Sequence, residues 1–409
     1  MTSRSHQILK DDRLFHVASD AEIIGGAVTD VYFTRTLQVL SAKRIAKSVA
    51  VEVAVKRLPG DWPWGVLAGV EECAALLSRL GCRINVWAMP EGTVFKPDEP
   101  VLVVEGIYND FGAYETAILG LLCQASGIAT KAARCKRAAA GRSVISFGAR
   151  RAHPAMAPMI ERNAYIGGCD GVSVVASARR LGLDAVGTMP HALILLLGGS
   201  AEAARAFDQV IDRRVNRVVL VDTFSDEKVE ALRVAETLGR RLYGVRLDTP
   251  SSRRGDFLRI LQEVRWELDL RGFRHVKLFA SGGIDEDEIL RLNSVVDAYG
   301  VGTSISSAAV LDFALDIVEI EGKPIAKRGK LSGRKQVWRC AKCLSSRVTP
   351  LRQAPGRLCR CGGRPEPLLQ PLIVNGRLSA SLPSPHQIRA RVLEQLQRLD
   401  AQSSASRDT

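Results

Sequence analysis

At 409 residues, 46% hydrophobic and 25% charged, the chain is long enough to bury two or three cores and has an ordinary globular composition. Its 57 Lys and Arg against 44 Asp and Glu leave a formal net charge of +13, which calls for an anionic partner, either nucleic acid or a multiply phosphorylated small molecule. No apolar run approaches the ~20 residues of a membrane span. The opening MTSRSHQILKDDRLFH is too charged for a secretory signal. The expected location is therefore cytoplasmic, without a membrane partner.

In chain order, SVAVEVAVKRL (48–58) has strand character, GVLAGVEECAALLSRL (65–80) has helical spacing, and EGTVFKPDEPVLVVEGI (91–107) resembles a hairpin with turn residues. These form an α+β layer. From Phe111 a long helical pattern leads into short β-rich runs that alternate with helices: SVISF (143–147), LDAVGT (183–188), RVVLVD (217–222), LYGVRLD (242–248), HVKLFAS (275–281) and DAYGVG (297–302). Strand, loop and helix in repetition predict a parallel sheet. Asp285 is an expected N-cap, with acids following it in the first turn. After about Val310 the chain turns basic and turn-rich. It closes on SPHQIRARVLEQLQRLD (384–400), where Ser384 caps, Pro385 suits the first helical position, and Ile388, Val392, Leu396 and Leu399 form an apolar stripe. The tail AQSSASRDT (401–409) is expected to lie outside ordered structure.

Nearly every β run ends in polar residues: Arg150 and Arg151, Thr188 and His191, Asp222, Asp248, Ser281 with Gly282 and Gly283, Gly302 with Thr303. In a barrel those ends share one rim. An open doubly wound sheet would carry an early Gly-x-Gly-x-x-Gly turn, which is missing after the first run.

Several side chains on that rim suit chemistry. Gly282, Gly283, Gly302 and Thr303 let backbone amides approach a phosphate, although each pair alone reads equally as a tight turn. Asp222 and Asp248 suit Mg²⁺ on a polyphosphate or ribose hydroxyls, or else serve as helix N-caps. Arg246, Arg253 and Arg254 join Arg150 and Arg151 as candidate guanidiniums for several negative charges. His191 is either a proton carrier or nucleophile, or a satisfied histidine under the rim.

Five cysteines are scattered, which argues against a disulfide framework in a chain this long. Cys340, Cys343, Cys359 and Cys361 instead form C-x₂-C-x₁₅-C-x-C, close to a zinc ribbon except for its one-residue second spacer. A redox pair and a nucleic-acid-binding ribbon are the alternatives.

Taken together, TDVYFTRT (29–36), FGARRAHP (147–154), GTMPHA (187–192), VRLDTPSSRRG (245–255), ASGGID (280–285) and GVGTS (300–304) resemble the nicotinate phosphoribosyltransferase family, in its archaeal-type branch. The resemblance runs from about residue 15 to 400. It implies a type II phosphoribosyltransferase of α/β class, with an N-terminal α/β sandwich (1–125) and an incomplete, TIM-like α/β barrel (126–315). The remaining C-terminal region (316–409) would carry a small zinc unit (about 335–366) and return to the sandwich.

The implied reaction joins nicotinate to phosphoribosyl pyrophosphate with Mg²⁺, in a homodimer whose subunits share active sites, commonly with ATP as cosubstrate. By motif position, Phe147 would stack on the pyridine, and Tyr32 would close the pocket of the neighbouring subunit. Thr188 and Arg246 would hold nicotinate, Arg150 and Arg151 would face phosphates, and His191 would be the phosphorylated histidine. The turn RLDTPSSRRGD departs from the RLDSGD type of longer members. Quinolinate phosphoribosyltransferase is the nearest enzymatic alternative, and it needs a site for a second carboxylate. A non-enzymatic zinc-ribbon protein on nucleic acid is the alternative of another class, nucleic acid being the less favoured partner.

Overall fold

The computed structural model describes residues 14–356 and 359–405; most of the charged opening segment and residues 406–409 of the tail lie outside them. Two sheets organise the chain. The first is antiparallel and seven-stranded, in the order 323–324, 313–320, 48–55, 102–107, 85–88, 370–374, 377–378. The strand Ser48–Val55 is its centre, paired with Phe313–Ile320 on one side and Leu102–Ile107 on the other. β-branched valines at 49, 51, 53 and 55 are buried and pack with Ile118 and Leu122 of the long helix Glu115–Ala138.

The second sheet has six parallel strands in the order 171–172, 143–146, 298–301, 277–281, 242–247, 217–220. Helices connect these strands, as parallel pairing requires. Residues alternate along each strand. Val144, Val219, Leu247 and Leu278 pack outward against Leu261, Val264 and Ile289 of the covering helices, while Ile145, Val218, Arg246 and Phe279 point into the barrel.

The run 183–188 is not the strand that its β-rich composition predicts. Val186 N–H donates to Val172 O at 2.8 Å and Met189 N–H to Val218 O at 3.2 Å, so the segment crosses the gap between the two edge strands with one bond to each. Two isolated bonds make no ladder, and Asp184 to Gly187 stay exposed. The strand beside 143–146 is instead the short Gly171–Val172. The result is a curled half-barrel that an irregular segment closes.

The expected hairpin at 91–107 also resolves differently. Val94–Phe95 pairs with Gly65–Val66 in a separate two-stranded sheet, while Leu102–Ile107 enters the large sheet. Pro97 and Pro100 lack the N–H groups that a hairpin ladder needs, and Asp98 takes a left-handed φ of 62°. In 65–80, helix begins only at Val70, because Gly69 sits at φ +86° with Leu121 O where a Cβ would come to 2.2 Å.

Asp285 caps the helix Glu286–Leu292 through Glu288 N–H at 2.9 Å. The closing helix Pro385–Ala405 begins at a capping box: Gln387 N–H donates to Ser384 Oγ and Ser384 N–H to Gln387 Oε1. The helix carries through the first five residues of the expected tail, since Ala, Gln and Ser there offer no breaker. Its buried Ile388, Val392 and Leu396 meet Trp64 and Val66 near the first sheet and Tyr165 of the barrel helix Ala157–Ile166. Ile388→Ala is expected to lower stability by about 2–4 kcal/mol, read as a lower urea midpoint at unchanged m-value. Among the described residues no helix is long and apolar enough to cross a membrane.

Candidate active site

Side chains from the middle and C-terminal ends of the parallel strands, with the segments 184–188 and 212–216, line a cavity of about 400 Å³ inside the barrel. Phe147 follows the strand Ser143–Ser146 and is tied down by its own N–H to Val301 O at 2.9 Å. Its ring lies over Gly300, where a Cβ would meet ring carbons at 2.4 and 2.5 Å, so this glycine makes room for the aromatic shelf. The Arg246 guanidinium sits 5.3 Å from the same ring centroid. It donates to Thr188 Oγ1 at 2.6 Å and Asp248 Oδ2 at 3.1 Å, and its buried Nε has no partner. Phe147, Thr188 and Arg246 therefore line one cavity, with Ile145 and Phe279 as apolar walls.

Beside it lies a charged cluster. Asp248 also accepts from Ser281 Oγ at 2.7 Å, which joins the strand Leu242–Leu247 to the glycine turn that follows Lys277–Ser281. Gly282 and Gly283 take φ of 76° and 63°, a left-handed pair that a residue with a side chain would not readily adopt. Arg254 braces this turn, donating to Ser281 O at 3.1 Å and to Gly282 O, and stacks 4.1 Å from Phe257. Burial lowers the Arg254 pKa below the usual guanidinium value. Gly302 and Thr303 open the short helix Thr303–Ser306 directly after the neighbouring strand. Gly148 packs so closely there that a Cβ would meet Gly302 O at 2.3 Å.

His191 starts the helix His191–Leu197 with Nδ1 2.9 Å from Thr223 Oγ1. Its Nε2 lies 3.8 Å from Asp222 Oδ2 and 3.9 Å from Asp248 Oδ2. The imidazole is 39% exposed and the Asp222 side chain only 3%. Burial, with repulsion from Asp248, pushes the Asp222 carboxyl above the usual range against the pull of His191, and its Oδ1 is buried without a partner. An orphaned carboxylate oxygen on Asp222, with the Asp248 carboxylate near enough to repel it, is a donor set suited to a hard divalent cation such as Mg²⁺.

The remaining candidates lie further out. Arg150 and Arg151 occupy an exposed single turn with no ion-pair partner among the described residues, as does Arg253 on its helix. Tyr32 is away from the barrel, on the exposed helix Val31–Ala42; its ring is 56% exposed and 4.2 Å from Phe33. Gly148 and Gly300 lie inside the motifs FGARRAHP and GVGTS, but no role was read for either, and Thr223 was passed over, the hydroxyl after Asp222 being its only signal.

The four C-terminal cysteines come together as a separate centre, their sulfurs all within 4.8 Å of one another. Cys340 and Cys361 are 3.4 Å apart, as are Cys343 and Cys359. Gly363 is needed at this corner, since a Cβ would sit 2.4 Å from Cys340 Sγ. The Cys361 backbone N–H pulls the Cys359 thiol down to about 6, while burial pushes Cys343 up to about 12. Four sulfurs gathered this closely fit a structural metal.

Comparison with known proteins bears on both units. The family model for the quinolinate phosphoribosyl transferase N-terminal domain matches residues 30–126, and that for its C-terminal domain matches 128–316. The nicotinate phosphoribosyltransferase pncB2 of Mycobacterium tuberculosis is 30% identical over 403 residues, covering 87% of this chain and 83% of the relative. The chain belongs to the nicotinate phosphoribosyltransferase family. A crystal structure of nicotinate-nucleotide pyrophosphorylase from Pyrococcus furiosus is 56% identical with a TM-score of 0.93, covering 95% of this chain and 99% of that one. Human nicotinic acid phosphoribosyltransferase, 23% identical with a TM-score of 0.73 over 91% of this chain and 94% of its own, shares the family fold.

Proposed function

We propose that the chain joins nicotinate to phosphoribosyl pyrophosphate, giving nicotinate mononucleotide and pyrophosphate, in the cytoplasm and in the service of NAD salvage. The observation that carries this reading is Arg246: a guanidinium inside an aromatic-walled cavity, held by Thr188 beside Phe147 and adjoining the Asp248–Ser281–glycine rim. A pyridine carboxylate on Arg246 would leave the ring against Phe147 and its nitrogen toward the sugar.

In the reaction the bond from C1 of the ribose to pyrophosphate breaks, the leaving group taking the electron pair, and the pyridine nitrogen lone pair forms the new bond to C1. No proton moves, so the protein acts by positioning and by charge. The left-handed glycines and Thr303 suit the 5′-phosphate, and Arg150 and Arg151 suit the pyrophosphate. Asp222 and Asp248 would hold Mg²⁺, which supplies charge neutralisation to the departing pyrophosphate.

Quinolinate would need a second cation in the cavity. The other guanidinium lining it, Arg214, already pairs with Asp212 at 3.0 Å and its side chain is 90% exposed. That supports the monocarboxylate. His191, cornered by two carboxylates and Thr223, is the group suited to take a phosphoryl from ATP, releasing ADP, and to pass it to water. Exposed Val31 beside Tyr32, exposed Leu14 and Phe15, whose ring meets His153 at 5.8 Å, and exposed Leu195 and Leu196 on the helix that His191 starts suit a homodimer that covers these side chains.

The test is pyrophosphate release from phosphoribosyl pyrophosphate with nicotinate, nicotinamide or quinolinate, with and without ATP. Turnover with nicotinate above the other two is expected, raised by ATP. Turnover with quinolinate alone would overturn the reading.

A further inference from the structure

A cavity of about 820 Å³ opens at the opposite end of the barrel, around the first residues of the strands Arg217–Leu220 and Leu242–Leu247. Its lining carries Arg213, Arg217, Arg240 and Arg241 against one carboxylate, Asp208. Asp208 is spent internally, accepting from Arg217 Nε at 2.9 Å and from Arg241. Four guanidiniums less one carboxylate leave three positive charges, before His275 is counted. Arg213 and Arg240 are exposed and have no side-chain partner among the described residues.

The wall is preformed. Arg217, 5% exposed, donates to the carbonyls of Asp208, Ile211, Asp212 and Val215, which pins the 208–216 loop from beneath. The amides Gln209 and Asn216 and the half-exposed ring of Tyr243 complete the lining.

We infer that this cleft is a second ligand site, for a nucleoside polyphosphate, separate from the barrel mouth. A net charge of three, with Arg213 and Arg240 unpaired at the surface, calls for a phosphate chain rather than a single anion. The volume lies in the range of nucleotide-sized sites, and Tyr243 offers a face for a base. The site also touches the reaction cavity. Val215 and Asn216 line both spaces, and the Tyr243 ring lies 6.2 Å from Phe279, a wall residue of the inner cavity. A ligand that shifts this shared loop changes the affinity of the inner cavity, and reciprocally.

The inference concerns binding and stands apart from which pyridine is turned over. Its test is photolabelling of the whole protein with 8-azido-ATP and Mg²⁺, with labelled residues assigned by tandem mass spectrometry. Label is expected on Tyr243 or Gln209. In Arg213→Glu combined with Arg240→Glu, the concentration needed for that label should rise ~10-fold or more, while turnover at saturating substrate is unchanged. Label confined to the barrel mouth, or equal labelling in the double variant, overturns the site. So does displacement by a single-stranded oligonucleotide at lower concentration than by ATP, which assigns the cleft to nucleic acid. A smaller assembly for the double variant in sedimentation assigns it to a contact between copies and overturns it likewise.

Discussion

Arg246→Gln is expected to lower kcat/KM for nicotinate by ~10²-fold or more, a loss of about 3 kcal/mol in transition-state stabilisation. Three effects share that loss. The charge-assisted contact to the substrate carboxylate disappears. Thr188 Oγ1 and Asp248 Oδ2 lose their donor, while Ser281 still holds Asp248 through its other oxygen. The cation over Phe147 also goes, and with it part of what orients the aromatic shelf. The comparison that separates carboxylate recognition from general damage is nicotinamide. Its amide does not need a full positive charge, so its already low kcat/KM should fall by a smaller factor than that of nicotinate. KM for phosphoribosyl pyrophosphate should stay within a few-fold, since the glycine turn is braced by Arg254 and not by Arg246. Equal losses for acid and amide would show that Arg246 holds the rim together and does not read the substrate.

How much of this was legible beforehand depended on whether a feature was local. The rim residues were legible because parallel strands repeat a simple rule, apolar run then polar end, and a barrel gathers such ends on one face. Asp248, Ser281 and the two glycines were each visible as strand ends. Their mutual hydrogen bond was not, since it joins residues 33 positions apart. The failures share a cause. LDAVGT has the composition of a strand, but a strand exists only where a partner offers a ladder, and at the barrel gap each neighbour contributes a single bond. The turn KPDEP between two β-rich runs suggested a hairpin, but the pairing went to strands elsewhere in the chain. Composition reports propensity, and partner choice is settled by tertiary packing. The basic cleft at the far end of the barrel left no motif at all. Its arginines lie at 213, 217, 240 and 241, and only the pairing of their strands brings them together.

The cysteine unit makes the second large prediction. Cys343→Ser should abolish stoichiometric metal binding, taking zinc from about one per chain to near zero by mass spectrometry, because three thiolates with a hydroxyl hold the ion far less well. The strand Lys335–Cys340 ends at the first cysteine of the cluster, and the residue before it is buried Arg339, which donates to Glu99 Oε2 at 3.1 Å and to Val94 O. Ser346, two residues beyond the short Cys340–Leu344 turn, donates to the other oxygen of Glu99. Losing the metal therefore loosens the frame that keeps a buried guanidinium against its carboxylate, and an unpaired charge there is costly. The expected destabilisation is on the order of 3 kcal/mol or more, seen as a lower melting temperature. Among the described residues no ribbon residue lines the barrel cavity, so the variant should still turn over nicotinate at temperatures well below its new midpoint. A metal-free chain that kept its melting temperature and assembly but lost turnover would instead place the metal in the chemistry.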